Sequence, residues 1–278
     1  MSCYILDMTN VSSRCRAKNR ATCPVHGINF PTTINFSKGT FKPNPANDVE
    51  KSLKNSKNYT LLLQEKEKES LSAYCKQDYT PVADWIYGGE SYSSANPQQL
   101  IKNIDSALTK YEKIPDRPSR VLYRATRLYD KSFATPEEAT SYMKKNFQPG
   151  STFETKGYMS TTPNAAALFD FLTESFDDLT INPKHPFGFK SREEYTELSG
   201  KDRGLSNVIY EIETRNAAPV SALGDTYAEK EQEYLLGRGK KFQIIEVIPH
   251  TPLNNPTGTS GVLKKRHATV VRVREIEN

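Results

Sequence analysis

The sequence is poor in cysteine and tryptophan, with 4 and 1 respectively among 278 residues. So few thiols exclude a disulfide scaffold and point to a reduced, cytosolic working environment. No stretch approaches the ~18 consecutive apolar residues of a spanning helix, so no helical membrane segment is expected. Met1 to Asn10 (MSCYILDMTN) lacks the basic n-region and apolar h-region of a secretory signal, and Sec export is not expected. A large excess of one charge is missing too. The 38 Lys plus Arg against 33 Asp plus Glu leave a formal +5, which permits an acidic partner without making the chain a nucleic-acid binder. What is present is 36% hydrophobic and 26% charged residues, with 15 Tyr and 12 Phe. That composition is globular and excludes wholesale disorder. The length suits one large domain plus an extension.

Residues 1–58 differ from the remainder. Arg14, Arg16, Lys18 and Arg20 precede a Pro/Asn/Lys/Ser-rich stretch with little apolar periodicity, so a basic extension or linker is expected there, with the folded domain over 59–278. From Tyr59 a helical lobe is predicted. Leu61, Leu62, Leu71 and Tyr74 supply an uneven apolar face, Tyr79–Ile86 continues it, and Leu100, Ile101, Ile104 and Leu108 recur at helical spacing. Arg120–Thr126 is rich in β-formers. Thr135-Pro136-Glu137-Glu138 is a helix start, with Thr as N-cap and Pro in the first position, and that helix should fade near Gly150. Further strands are predicted at Phe153–Thr161, Val208–Ile212, Phe242–Ile248 and Thr269–Ile276. Helices first and strands after argue for an α+β fold with antiparallel pairing.

Three segments carry chemistry: Leu122-Tyr123-Arg124-Ala125, then Gly157-Tyr158-Met159-Ser160-Thr161-Thr162, then Glu229 to Gly239 (EKEQEYLLGRG). Each alone reads blandly, as a solvated edge arginine, a strand end and a solvated acidic face. In this order, each beside a predicted strand, they resemble the Arg-Ser-Glu signature of mono-ADP-ribosyltransferases of the cholera-toxin class, in the Glu-x-Glu arginine-specific form. The resemblance spans about Tyr59 to Ile276. Thr162 stands where the family has a second serine, and Gly237 where it has proline. It implies two packed, mainly antiparallel sheets forming an NAD cleft behind an N-terminal helical lobe. It also implies transfer of ADP-ribose from NAD, as co-substrate, to a target protein with release of nicotinamide. Family relatives include bacterial toxins, effectors and phage enzymes, so action inside a host or target cell is implied.

The chemistry suits those residues. Nicotinamide leaves neutral from a cationic ring, so no general acid is required, unlike ordinary glycoside hydrolysis. An oxocarbenium-like ribosyl cation must be stabilised, and a carboxylate on the ribose 2′-hydroxyl does so more strongly as charge develops. The resemblance gives this role to Glu233 and pyrophosphate or ribose anchoring to Arg124, whose planar fork lysine cannot reproduce. It gives Ser160 support of the glutamate and the nicotinamide ribose, Thr161 and Thr162 the joining of adjacent strands, and the Ala125 backbone the nicotinamide amide. Residues two apart on a strand share a face, which would direct Glu231 to the same site. A protonated guanidinium cannot attack until a base removes a proton, and Glu231 is the candidate. Tyr227, in the segment before the third motif, is the candidate for touching the protein substrate, beside a plain reading as a packed loop tyrosine.

No metal is expected. Cys3, Cys15, Cys23 and His26 are the right donor types for tetrahedral zinc, but the Cys3 to Cys15 spacing fits no common knuckle, and reduced thiols are expected. Two alternatives remain open: the same fold acting on nucleic acid or water, and an inert nucleic-acid-binding module tethered through the basic N-terminus.

Overall fold

The structure, a computed structural model, describes residues 54–78, 82–83, 85–86, 96–128, 133–164, 168, 205–224, 232–254 and 265–276. Helical backbone covers 54–60, and α1 spans Glu65–Ala73, running into a π-turn at Tyr74–Asp78. α2 spans Pro97–Glu112, β1 Arg120–Arg127, α3 Pro136–Asn146, β2 Thr152–Glu154, β3 Met159–Thr161 and β4 Asn207–Thr214. β5 (Ala218–Pro219), β6 (Tyr234–Leu236), β7 (Lys241–Asn254) and β8 (Lys265–Glu275) complete the chain. A five-stranded sheet runs β1-β4-β8-β7-β2 and a three-stranded sheet runs β3-β6-β5.

The expected α+β architecture with two sheets is present. β4 and β8 pair in parallel, whereas every other pair among the described residues is antiparallel. β4 (NVIYEIET) is almost wholly buried, the near-continuous burial typical of a central strand with a parallel neighbour. Between the sheets lies the main core, where Leu122, Tyr210, Ile212, Tyr234, Phe242 and Val271 meet Met143 and Phe147 from the α3 region. α3 begins as its sequence dictates. Thr135 Oγ1 accepts from Glu138 N at 3.2 Å, Pro136 occupies the first turn, and the Glu138 carboxylate accepts from Ala134 N at 2.8 Å.

The predicted strand Phe153–Thr161 is two strands in two sheets, because residues 155–158 turn a corner between them. Thr155 makes the corner: its N–H donates to Lys240 O at 2.9 Å and its carbonyl accepts from Gly239 N at 2.7 Å. The segment 152–161 thus follows 234–243 across both sheets, with β3 on β6 and β2 on β7. Gly239 sits at that corner with φ 69°, a conformation glycine adopts without steric cost.

The helical lobe also departs from its periodicity. Leu61 and Leu62 are exposed at 82% and 51%, whereas Leu63 is buried. The reason is that 61–64 is a turn, closed by Leu62 N to Tyr59 O at 3.0 Å, and α1 starts only after it. Tyr59, Leu63, Leu71, Ile104, Ala107 and Leu108 pack together against Ala218, Val220 and Leu235, so the lobe seats on the three-stranded sheet. Helical backbone runs across the division expected between residues 58 and 59. Ser56 is fully buried, with Oγ accepting from Ala222 N at 2.9 Å.

Candidate active site

Strand alternation on β1 decides where Arg124 points. Leu122 lies in the inter-sheet core, whereas Tyr123 and Ala125 pack on the opposite sheet face with Ile209 and Val270. Arg124 shares the Leu122 face, and its Nη1 donates to Ser160 O at 2.7 Å. Its register partner on β4 is Tyr210, a completely buried tyrosine. Burial pushes the Tyr210 hydroxyl well above its usual range, against the opposing pull of the Arg124 charge.

β3 is the seam between the other two motifs. On one side Ser160 pairs with Leu235 and Thr161 with Tyr234, and Thr161 Oγ1 donates to Tyr234 O at 2.8 Å. On the other side Thr162 bridges Tyr123, with N–H to carbonyl distances of 2.9 and 2.7 Å in the two directions. The hydroxyl of Thr162 accepts from Asn164 N at 2.8 Å. Three segments distant in sequence therefore lie side by side as β1, β3 and β6. Glu233 immediately precedes β6, buried at 6% exposure, with its carbonyl accepting from Val220 N at 3.0 Å.

Gln232 has φ 54° and β6 begins only at Tyr234. The extended backbone that would put Glu231 and Glu233 on one face is thus broken between them, and simple alternation does not govern their relation. Glu231 and Tyr227 lie outside the described residues, as do Cys3, Cys15, Cys23 and His26. Among the described residues no group of three or more His, Cys, Asp or Glu could hold a metal ion. No helix there is long and apolar enough to cross a membrane.

One supporting residue, Asp105, emerges outside the motifs. Tyr158 donates to Asp105 Oδ1 at 2.6 Å on α2, and the Arg238 guanidinium closes on the same carboxylate. Burial, then the neighbouring Asp105, push the Tyr158 hydroxyl upward. The β3 lead-in, α2 and the β6–β7 turn are thereby tied at one carboxylate. Asp105 was invisible in sequence because its partners lie 53 and 133 residues away.

Arg124 spends one donor on Ser160 O. A guanidinium carries five N–H donors, so its fork retains capacity for a second acceptor. With an acidic side chain at Glu233 and hydroxyls on β3, the residues fit a substrate bearing both pyrophosphate and ribose hydroxyls.

Comparisons with known proteins identify the family. Residues 51–269 match the family model of the ADP-ribosyltransferase exoenzyme. No curated protein sequence matches the chain. Among solved structures it is similar to Plx2a, an ADP-ribosyltransferase toxin from Paenibacillus larvae, at 20% identity and TM-score 0.53, covering 83% of this chain and 97% of that one. BECa, the ADP-ribosylating toxin of a C. perfringens binary enterotoxin, solved with NADH, matches at 18% identity and TM-score 0.55 over 84% of this chain and 49% of its own. The Clostridium limosum C3 exoenzyme matches at 13% identity and TM-score 0.53, covering 87% and 100% of the two chains. At these identities the structural likeness establishes the fold, and the family model, which spans most of the sequence, establishes kinship. The chain belongs to the ADP-ribosyltransferase exoenzyme family, toxin enzymes that use NAD as co-substrate for ADP-ribose transfer.

Proposed function

We propose that the protein transfers ADP-ribose from NAD to arginine of a target protein, with Arg124, Ser160 and Glu233 forming the NAD-cleaving site. The observation that carries this is the adjacency of the three motifs across β1, β3 and β6, with Arg124 Nη1 bonded to Ser160 O. Arg124 anchors the pyrophosphate or nicotinamide ribose, and the Ala125 backbone meets the nicotinamide amide. The carboxylate of Glu233 holds the ribose 2′-hydroxyl. As the ribose C1–nitrogen bond breaks, its electron pair neutralises the pyridinium nitrogen, and positive charge builds on the ribosyl group against Glu233. Glu231 takes the guanidinium proton so that the freed nitrogen can form the new bond to C1. Tyr227 contacts the acceptor protein. Thr161 and Thr162 keep the three strands in register through the bonds described above. The toxin relatives favour an effector that acts on a protein within another cell.

The test is incubation of the full chain with NAD labelled in the adenylate, together with the arginine mimic agmatine or a cell lysate treated with protease or nuclease. Protease-sensitive label and an ADP-ribosyl-agmatine product are expected, along with loss of roughly 100- to 1000-fold in both transfer and hydrolysis for Glu233→Ala. Nuclease-sensitive label would move the acceptor to nucleic acid, and full activity of Glu233→Ala would remove that residue from the site.

A further inference from the structure

Ser56 sits in the stretch expected to be a basic extension or linker, yet it is completely buried. Its Oγ accepts from Ala222 N at 2.9 Å, across 166 residues of chain. Ala222 belongs to the 3₁₀ turn Ser221–Leu223, which Leu223 N closes on Val220 O at 2.8 Å. Val220 N in turn donates to Glu233 O at 3.0 Å. An unbroken path of hydrogen bonds and one tight turn therefore joins the Ser56 hydroxyl to the backbone of Glu233. Both ends of the path are anchored. Tyr59, one helical turn after Ser56, is buried edge-on against Tyr111 of α2 with ring centroids 5.4 Å apart, and Val220 packs in the same apolar cluster. Beyond the path, the two segments are joined by the pairs Pro219 with Tyr234 and Ala218 with Leu235. Gln232 is already in a left-handed conformation, a backbone state that persists in a non-glycine residue only when its surroundings enforce it.

We infer that Ser56 is a positioning residue of the catalytic site, holding the Val220–Leu223 turn against the helical lobe so that the backbone of Glu233 is fixed before NAD arrives. This rests on the assignment of Glu233 as the group that stabilises the ribosyl cation. Ser56→Ala removes the acceptor and leaves the half-buried Ala222 N–H without this partner. Arg124 and the Ala125 backbone, assigned to the pyrophosphate or ribose and to the nicotinamide amide, are untouched, so ground-state affinity should largely hold while the Glu233 contact, which strengthens in the transition state, loosens.

The experiment compares the full-length wild type and Ser56→Ala by NAD hydrolysis kinetics, NAD titration calorimetry and peptide-resolved hydrogen exchange. The expected result is a fall in kcat of about tenfold, the size that loss of one hydrogen bond carries when expressed in a rate. The NAD dissociation constant should stay within about twofold. Exchange protection should drop in peptides covering 220–224 and 232–236, and not in those covering β7 and β8. An unchanged kcat overturns the positioning role, whatever the exchange shows. A parallel loss of protection across all peptides, or an equal loss of NAD affinity, also overturns it, because the residue would then support the fold at large. Failure of the Glu233 assignment is distinguishable. In that case Glu233→Ala stays active, whereas failure of the Ser56 role leaves Glu233→Ala inactive and Ser56→Ala active.

Discussion

Arg124 holds one bond within the fold and is proposed to hold NAD as well, and a substitution should separate the two. Its Nη1 bond to Ser160 O holds β3 against β1, and the remaining donors of the fork are assigned to NAD. Arg124→Lys keeps the charge but loses the bidentate geometry. NAD affinity should fall about tenfold or more, the scale of one charged hydrogen bond, with stability reduced by only about 1 kcal/mol. Calorimetry with NAD and a denaturation curve check both. The two glutamates separate in another way. Glu231→Gln removes the proposed base while leaving the Glu233 carboxylate, so transfer to agmatine should collapse and hydrolysis by water should persist, since neutral water needs no deprotonation of a guanidinium. Wild-type transfer rates in that variant would dismiss Glu231 as the base and, with it, the residue-level basis for an arginine acceptor.

At the scale of elements, one buried carboxylate links α1 to α2 within the helical lobe. Glu67 is 1% exposed. It accepts from Gln64 N at 2.7 Å in a capping box at the start of α1, from Ser106 Oγ at 2.7 Å, and from Lys110 Nζ at 2.6 Å on α2. Burial alone would raise its pKa, but the lysine, backbone and hydroxyl donors outweigh that and hold the carboxyl below the ordinary range. A carboxylate depressed by folding contributes stability that is present above its unfolded pKa and is lost as pH falls through the folded value. Glu67→Gln should therefore cost about 1–3 kcal/mol near neutrality. The gap between variant and wild type should narrow below roughly pH 4, beneath the unperturbed glutamate value. Urea denaturation at pH 7 and pH 3.5 measures it, and an equal gap at both values would show that the ionised carboxylate is not what joins α1 to α2.

Across the whole molecule, buried Ser56 and the helical backbone at 54–60 lie upstream of or across the expected division. The family model begins at residue 51 and helical backbone is present from 54, whereas the drop in apolar periodicity suggested a division at 58. A chain starting at Lys51 should hydrolyse NAD within about twofold of the full protein, because none of the contacts described here precedes it. A chain starting at Tyr59 loses the Ser56 acceptor and should fall about tenfold or more in kcat. Steady-state hydrolysis by the two truncated chains decides this. Equal rates would restore the division at 58 and remove any catalytic role from the preceding residues.

Elements whose signals are local were legible from the chain alone. Thr135-Pro136 started α3 because the cap and the ring act within one turn. Leu100 to Tyr111 formed α2 because an apolar face at 3.6-residue spacing needs only a surface to cover. The three motifs were legible because each is a short run of chemically constrained residues. Tertiary structure alone decided where strands stopped and what they adjoined. Phe153–Thr161 has β-formers towards both ends, and its middle at Lys156-Gly157 turns, with Thr155 bonded to Gly239 and Lys240. Leu61 and Leu62 carry an apolar signal that a turn leaves in solvent, while Ser56, a small polar residue in a polar stretch, is drawn into the interior by Ala222. The interruption at Gln232 and the Asp105 junction are likewise long-range. Local propensity is set by neighbours in the chain, whereas buried polar groups must find partners wherever the fold brings them, and that search is settled only when the sheets close.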